Sequence, residues 1–417
     1  VRFLILTQYY APEIGAPQTR LWSMSNELKR LGHELEVVTS LPNYPRGKIF
    51  SGYQRTFYRR EILDGITVHR VWLYPALGSG FRRMLNYGSF TVTSLFGLFF
   101  VKKPDYIFVE APPLFLSLPA YIAGLWYRAP FILNVADLWP DAAVEGGILK
   151  DGILLRMLYA IERWSYRKAA YINAVTEGIR ESLLRKKDVP SRKVLFLPNG
   201  VDTDRFQPSP ADLDLKKKLG LEGKKIILWA GTLGFAHGLD YVLQAAGLLR
   251  GNPEIHFLFL GDGSARSTLQ QLSKKLELRN VSFHDPVPSA HLPPFFSIAE
   301  AGLASLLGTA IHDGARPSKI FPVLASGKPV IFVGRGEAAR LVQDANAGIV
   351  VPPEDPEALA NAILQFIEKP EWIEELGKNG RSFVKLNFEW SKLTREWVAQ
   401  LNNQSERERL ATVETRI

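Results

Sequence analysis

At 417 residues the chain is too long for one ordinary core and suits two mid-sized domains. Apolar residues make up 46% and charged residues 22%, which excludes a largely disordered chain; the lack of cysteine excludes a disulfide scaffold, a thiol nucleophile and a Cys-ligated zinc or iron–sulfur site. The formal charge of +9 is uneven: residues 1–200 hold 26 Lys and Arg against 16 Asp and Glu, and the rest hold 25 against 26. The first half should therefore face something anionic, and nucleic acid and an anionic membrane both fit that description.

The chain opens on an apolar strand over 2–7, with no charged leader and cleavage site, so a cytoplasmic address is expected. A loop containing Gly15 feeds a helix from about Pro17, in which Leu21, Met24, Leu28 and Leu31 recur at helical spacing. Strands are expected over 34–39, 66–73, 105–110, 131–136, 170–175 and 194–197, alternating with helical patterns as parallel βαβ units do. Pro198-Asn199-Gly200-Val201-Asp202, followed by Pro208 and Pro210, reads as a linker. The pattern restarts with strands over 225–230, 255–260, 281–283, 329–333 and 348–351. The expected fold class is α/β, with two doubly wound Rossmann-like domains facing across a cleft. From residue 371 the chain turns helical, with Trp372, Leu376, Phe383, Leu386, Trp390 and Trp397 as expected anchors.

One segment departs from a soluble pattern. Met84 to Val101 carries no charge over 18 residues and lies between Arg82-Arg83 and Lys102-Lys103. Its length would suit a membrane span, but the strands at 66–73 and 105–110 belong in one sheet, so the connection must return to the same side. Two readings remain: a helix lying in the membrane interface, held by its apolar side and basic flanks, or a crossover helix buried in the domain.

No phosphate-binding Gly-x-x-x-x-Gly-Lys-Ser/Thr, no Gly-x-Gly-x-x-Gly after the first strand and no His-Glu-x-x-His occurs. Asp202-Thr203-Asp204 looks like a metal-binding Asp pair, yet it follows an Asn-Gly turn, where short Asp pairs are structural; no metal is expected. The Gly15 loop leads into a helix N-terminus that suits a phosphate, and Gly231-Thr232-Leu233-Gly234 repeats the arrangement after the first strand of the second half. The stretch Gly314–Val330 places Arg316, Ser318 and Lys319 at the start of a short apolar helix. Cations are disfavoured there, and a docked anion would offset the cost.

The motifs Gln8–Gly15, Pro42-Asn43-Tyr44-Pro45, Asp137-Leu138-Trp139-Pro140, Pro198-Asn199-Gly200-Val201-Asp202, Gly261-Asp262-Gly263 and Pro317–Val330 carry a resemblance. Over about residues 2–370 the chain resembles the retaining glycosyltransferases of family 4, of GT-B architecture, and within them the O-antigen and capsule branch typified by N-acetylfucosaminyltransferase. The resemblance implies a nucleotide diphosphate-sugar held mainly by the second domain, no metal or other cofactor, and an acceptor site on the first. It also implies a C-terminal helix near 388–402 that crosses back. Domain boundaries are accordingly expected at 1–203, completed by about 385–417, and 204–384.

The chain also departs from the family. Two glutamates that the family pairs fall at Gly314 and Pro322, with Asp313 one residue away as a substitute for the first. The family's phosphate-binding Arg and Lys fall at Thr232 and His237, and its first-domain histidine falls near Ala136, beside Asp137. Charge on the diphosphate is therefore expected from Arg316 and Lys319, helped by Ser318 and by the Gly231-Thr232 and Gly15 loops. Asp137 is the candidate carboxylate near sugar or acceptor, or else a helix cap. Glu337 is a sugar contact or a favourable charge opening a helix.

The expected function is transfer of a sugar from a nucleotide diphosphate-sugar, with UDP as the nucleotide and an N-acetylated amino sugar as a candidate sugar, to a lipid-linked or saccharide acceptor in surface polysaccharide biosynthesis. The expected place is peripheral, on the inner face of the plasma membrane, with Arg82, Arg83, Lys102 and Lys103 toward the membrane and no nucleic-acid partner. A nucleotide-sugar epimerase of the same architecture, or a non-enzymatic saccharide- or membrane-binding protein, are the other classes that fit.

Overall fold

The computed structural model describes residues 1–76, 80–147 and 149–414. The chain divides into two compact units, Val1–Asn199 with the chain from Trp390 onward, and Gly200–Glu389.

The first unit is built on β1 (Arg2–Leu6), β2 (Glu34–Ser40), β3 (Tyr58–Leu63), β4 (Ile66–Val71), β5 (Tyr106–Ala111), β6 (Phe131–Val135), β7 (Tyr171–Ala174) and β8 (Val194–Phe196). They form one sheet in the order β3-β4-β2-β1-β5-β6-β7-β8. All neighbours are parallel except β3 on β4. Helices cover both faces, so the inner strands read as continuous apolar runs: Leu4 and Leu6 of β1 enter one core, Phe3 and Ile5 the other. Helices α1 (Ala16–Arg30), α2 (Phe81–Leu98), α3 (Ser117–Tyr127) and α4 (Ile153–Lys168) supply much of that cover. The strand β3 escaped the periodicity reading. It is an edge strand with exposed Arg59, Arg60 and Ile62, paired to β4 through a turn in which Asp64 and Gly65 both have positive φ.

The second unit holds β9 (Lys225–Ala230), β10 (Ile255–Leu260), β11 (Val281–His284), β12 (Ala299–Ser305), β13 (Val330–Val333) and β14 (Gly348–Val351), all parallel, in the order β11-β10-β9-β12-β13-β14. Its helices include α5 (Leu239–Leu248), α6 (Ile320–Ala325), α7 (Glu337–Asp344) and α8 (Pro370–Asn387). The central strand β12 is Ala-Glu-Ala-Gly-Leu-Ala-Ser, poor in β-formers. Its small residues let α6 lie close: a Cβ on Gly302 would come within 2.3 Å of Val323.

The chain then returns through α9 (Trp390–Glu414) to the first unit, where Trp397 is fully buried against Phe3 and Phe108 at 5.9 and 5.7 Å between rings. The boundaries differ slightly from those expected. The Val201 amide donates to the Phe388 carbonyl at 2.8 Å and Val201 bridges to Glu389, so 200–203 and 385–389 belong to the second unit. One expected anchor also differs, since Leu386 is exposed on α8; Leu31, the last residue of the apolar spacing in the first helix, is exposed at the C-cap of α1.

In each sheet the strand order reverses beside the first strand, between β1 and β5 and between β9 and β12. Loops leaving the carboxyl ends of such a pair diverge to opposite faces and leave a crevice where doubly wound sheets take ligands.

Candidate active site

At the reversal in the second unit, β9 ends at Ala230 and passes through Gly231–Gly234 into a single turn, Phe235–His237. His237 Nδ1 lies 2.9 Å from the Ser305 carbonyl at the end of β12, and Ser305 Oγ donates to the His237 carbonyl at 2.7 Å. A carbonyl oxygen only accepts, so Nδ1 carries the proton and Nε2 is bare. Lys319 Nζ stands 3.4 Å from that Nε2 and 3.9 Å from the centre of the Trp229 ring. Gly231, at φ +149°, makes room for the lysine stem, since a Cβ there would meet Lys319 Cε at 3.0 Å.

Burial pushes Lys319 down to about 7. Burial, and then the Lys319 charge, push His237 down to about 3, so the ring is a neutral acceptor at physiological pH. Among the described residues no carboxylate pairs with Lys319. A half-buried ammonium without a counter-anion is poised to take one.

The other expected donor contacts are placed differently. Arg316 directs Nε, at 3.0 Å, and Nη2, at 2.5 Å, to the same Glu337 carboxylate oxygen, with both side chains nearly buried. Its guanidinium also stacks 5.2 Å from the Phe388 ring centre. Arg316 and Glu337 are thus engaged with each other, and Glu337 stands in the first turn of α7, where the sequence also allowed it as a favourable charge. The cause is local: Gly336 packs its backbone onto Asp313, which sets the start of α7 against the 313–316 turn. Asp313 receives Arg335 Nε at 2.7 Å on a half-exposed surface. Ser318 is half-buried beside Lys319, and Thr232 is exposed beside Gly231. Thus Gly231, His237 and Lys319 come together directly, while Asp313, Arg316 and Glu337 form a second cluster. Asp202 accepts the Arg205 amide at 2.9 Å, an ordinary turn role.

In the first unit, Gly15 precedes α1 in an extended conformation. The neighbouring Glu13 is buried and holds another loop: Oε1 accepts from the Asn43 amide at 2.7 Å, the Tyr44 amide at 2.8 Å and Asn43 Nδ2 at 3.3 Å. Burial outweighs these bonds and raises Glu13 to about 7. Glu110, at the end of β5, is fully buried and paired with Arg20; it also accepts from Asn134 Nδ2 at 2.7 Å, and Asn134 in turn accepts from Asn173 Nδ2 at 2.6 Å. Arg20 Nη1 reaches Asn199 Oδ1 at 3.1 Å. Asp137 lies exposed in the loop after β6, close enough to raise the pKa of Glu110, which burial already raises. It caps no helix, because the next begins at Asp141 behind Pro140.

The four basic residues set toward a membrane divide. Arg82, Lys102 and Lys103 are exposed, but Arg83 Nη2 donates to Tyr9 Oη at 2.6 Å and its guanidinium lies 4.4 Å from the Tyr87 ring centre. Arg83 is thus a tie between α2 and the loop after β1, where Gln8 Nε2 also donates to Asn86 Oδ1 at 2.7 Å.

Sequence reasoning missed Trp229, Ser305, Glu13, Glu110 and Arg20. A polar residue inside an apolar strand was the available signal for Glu110, as was a carboxylate in a Pro-Glu-Ile-Gly loop for Glu13. Ser305 meets the His237 ring through its carbonyl, which any residue would supply, and only its Oγ bond to the His237 carbonyl depends on the side chain.

Residues 15–200 match the family described as Glycosyl transferase 4-like domain, and residues 212–383 the one described as Glycosyl transferases group 1. The chain is similar to the Escherichia coli glycosyl transferase WcaI, whose name places it provisionally in colanic acid biosynthesis: 30% identity over 383 residues, 89% of this chain and 93% of WcaI. Pseudomonas aeruginosa WbjE, named as a glycosyltransferase, is 25% identical over 66% of this chain and 68% of its own. Among solved structures, a sucrose-phosphate synthase from Thermosynechococcus elongatus superposes with a TM-score of 0.73 at 18% identity, over 98% of this chain and 100% of that one. Anabaena HepE in complex with UDP-glucose also gives 0.73, at 16% identity over 96% and 99%. The two Rossmann-like units have the GT-B fold.

Proposed function

The chain belongs to the group 1 glycosyltransferases, and from that premise we propose that it moves a sugar from a nucleotide diphosphate-sugar, with UDP as nucleotide, to a lipid-linked or saccharide acceptor in surface polysaccharide biosynthesis. The carrying observation is Lys319: a half-buried ammonium, turned onto the neutral Nε2 of His237 and lacking a carboxylate partner among the described residues, at the strand reversal of the second unit. The hard step is departure of the nucleoside diphosphate, whose developing negative charge needs fixed donors. Lys319 has three N–H donors; one is directed at His237, which leaves the others for phosphate oxygens. His237 is a positioning residue, its tautomer fixed by the Ser305 carbonyl.

On this reading the sugar keeps its anomeric configuration, the departing phosphate oxygen takes the proton of the attacking hydroxyl, and no metal takes part. Asp137 serves the acceptor side, and the protein works peripherally at the inner face of the plasma membrane. The UDP complex of HepE and the polysaccharide name of WcaI support the donor and the process. The test is calorimetric titration of UDP, GDP and dTDP into the whole protein and into Lys319→Ala. Binding of UDP that weakens in the variant is expected. Preference for another nucleotide overturns the donor, and absence of any nucleotide binding overturns the transferase reading.

A further inference from the structure

Helix α2 is inverted for a helix on a protein surface. It buries Asn86, Ser94 and Gly97 with Phe90 and Leu98 against the sheet and turns Phe81, Val92 and Phe96 to solvent, Phe81 being 77% and Val92 69% exposed. Ordinary surface helices do the reverse. The inversion does not stop at α2. Just beyond its end Phe99 is exposed, α3 shows Leu125 and Trp126, and α4 shows Ile153 and Met157. Helices α2, α3 and α4 lie side by side, and a cavity of about 570 Å³ opens among them and the turn before α3, lined by Met84, Gly88, Val92, Phe115, Leu118 and Trp164. That volume is in the range of about 300–1,000 Å³ that holds small ligands. Exposed apolar surface on this scale marks a partner.

Charge decides which partner. Neither α2 nor α3 contains an acidic residue, and the one acid of α4, Glu162, is buried and held by Lys187 at 2.9 Å. The helices and the residues flanking them are basic in balance, with exposed Arg82, Lys102, Lys103, Arg128, Arg156 and Arg163 against exposed Asp105 and Asp151. A second copy of the chain would set this basic balance against itself. No described helix is long and apolar enough to cross a membrane; an apolar face with basic flanks has the character of one that lies in the interface of an anionic bilayer.

We propose that the α2–α3–α4 face docks on an anionic lipid bilayer and that its cavity takes one hydrocarbon chain of a bilayer lipid. This deepens the membrane part of the reading above and stands apart from the donor part.

The experiment uses the full chain with vesicles of phosphatidylcholine alone or with phosphatidylglycerol carrying brominated acyl chains. Flotation with the anionic vesicles, weakened by salt, and quenching of tryptophan fluorescence by the bromines are expected. Val92→Glu with Phe96→Glu, both at exposed positions, should weaken flotation at least tenfold. A Cβ on Gly88 meets nothing within 4 Å, so Gly88→Leu fills the cavity without strain. It should keep flotation but lose the part of the quenching that Trp164→Phe also removes. Equal binding to both vesicles, or an unaffected Val92→Glu/Phe96→Glu variant, overturns the docking face, and unchanged quenching in Gly88→Leu overturns the chain slot. A dimer in vesicle-free buffer that Val92→Glu dissolves would assign the face to a second copy instead. UDP titration on the same preparations separates the readings: retained UDP binding without flotation removes only the docking face, and flotation without UDP binding removes only the donor.

Discussion

Arg316 and Glu337 neutralise one another in a nearly buried pair, with two guanidinium nitrogens on a single carboxylate oxygen. The positive charge of Arg316, three residues before Lys319, is therefore already matched by Glu337. Arg316→Ala should behave as a folding lesion, because it leaves Glu337 buried without a partner, at about 3–5 kcal/mol. Replacing both, Arg316→Met with Glu337→Leu, should recover much of that loss. Chemical denaturation of the two singles and the double checks this; a stable Arg316→Ala with a collapsed kcat would return Arg316 to the diphosphate.

Lys319→Ala should lower kcat by ~10²–10³, the loss typical of removing one preorganised donor, with a smaller change in donor KM. His237→Ala should cost less, roughly the 1.5–3 kcal/mol of a hydrogen bond to a charged group. Steady-state kinetics of both variants checks the ranking. An essential His237 beside a dispensable Lys319 would move the phosphate contact onto the histidine.

Lys319 titrates at about 7 in the free protein, below its ordinary 10.5. An anion bound to it favours the charged form and raises that value, so above pH 7 binding takes up a proton. UDP affinity should fall by up to tenfold per pH unit above 7, and calorimetry at pH 8 in buffers of different ionisation heat should show the uptake. The sign for stability follows from the same shift: the unfolded chain binds the extra proton between pH 7 and 10.5, so stability rises with pH across that window. Below pH 7 the full cost of burying the charge applies. Lys319→Met should raise Tm at pH 7 while abolishing the uptake.

Glu13 has a folded pKa of about 7 against an ordinary 4.5. Its share of stability is fully present below pH 4.5 and is lost as pH rises toward 7 and beyond. Glu13→Gln, which keeps an acceptor for the Asn43 and Tyr44 amides, should match the wild type near pH 4 and exceed it at pH 8. Glu13→Ala should destabilise at both, since two backbone donors lose their partner. Thermal melts at the two pH values distinguish these outcomes.

Transfer should survive excess EDTA, and Asp202→Asn with Asp204→Asn should keep most of it, because Asp202 holds a turn. Loss of turnover that Mn²⁺ or Mg²⁺ restores would contradict the metal-free mechanism.

Strands rich in apolar residues, such as Lys225–Ala230 and Ile255–Leu260, were legible because both faces are buried and every position but Lys225 and His256 is apolar. The strand Ala299–Ser305 was not, because its neighbour α6 demands small residues that carry no β signal. The site divides along the same line. Lys319 is legible as a cation where an apolar helix begins. The engagement of Arg316 is not, since its partner lies 21 residues away and is brought near by the close backbone contact of Gly336 with Asp313. Arg83 looked like a free charge because nothing in the sequence announces Tyr9 as its acceptor.

The inner edge of α2 is fastened twice to the loop that follows β1, by Asn86 to Gln8 and by Arg83 to Tyr9. Were its outer edge to rest on lipid, as proposed above, the helix would become a ruler: the height of that loop above the hydrocarbon would be set by the width of one helix. An acceptor whose reacting hydroxyl stands at that height above its anchor would be met without extension or compression. One with a longer or shorter sugar stem would miss, and the selection would be made by distance and not by recognition of the sugars themselves.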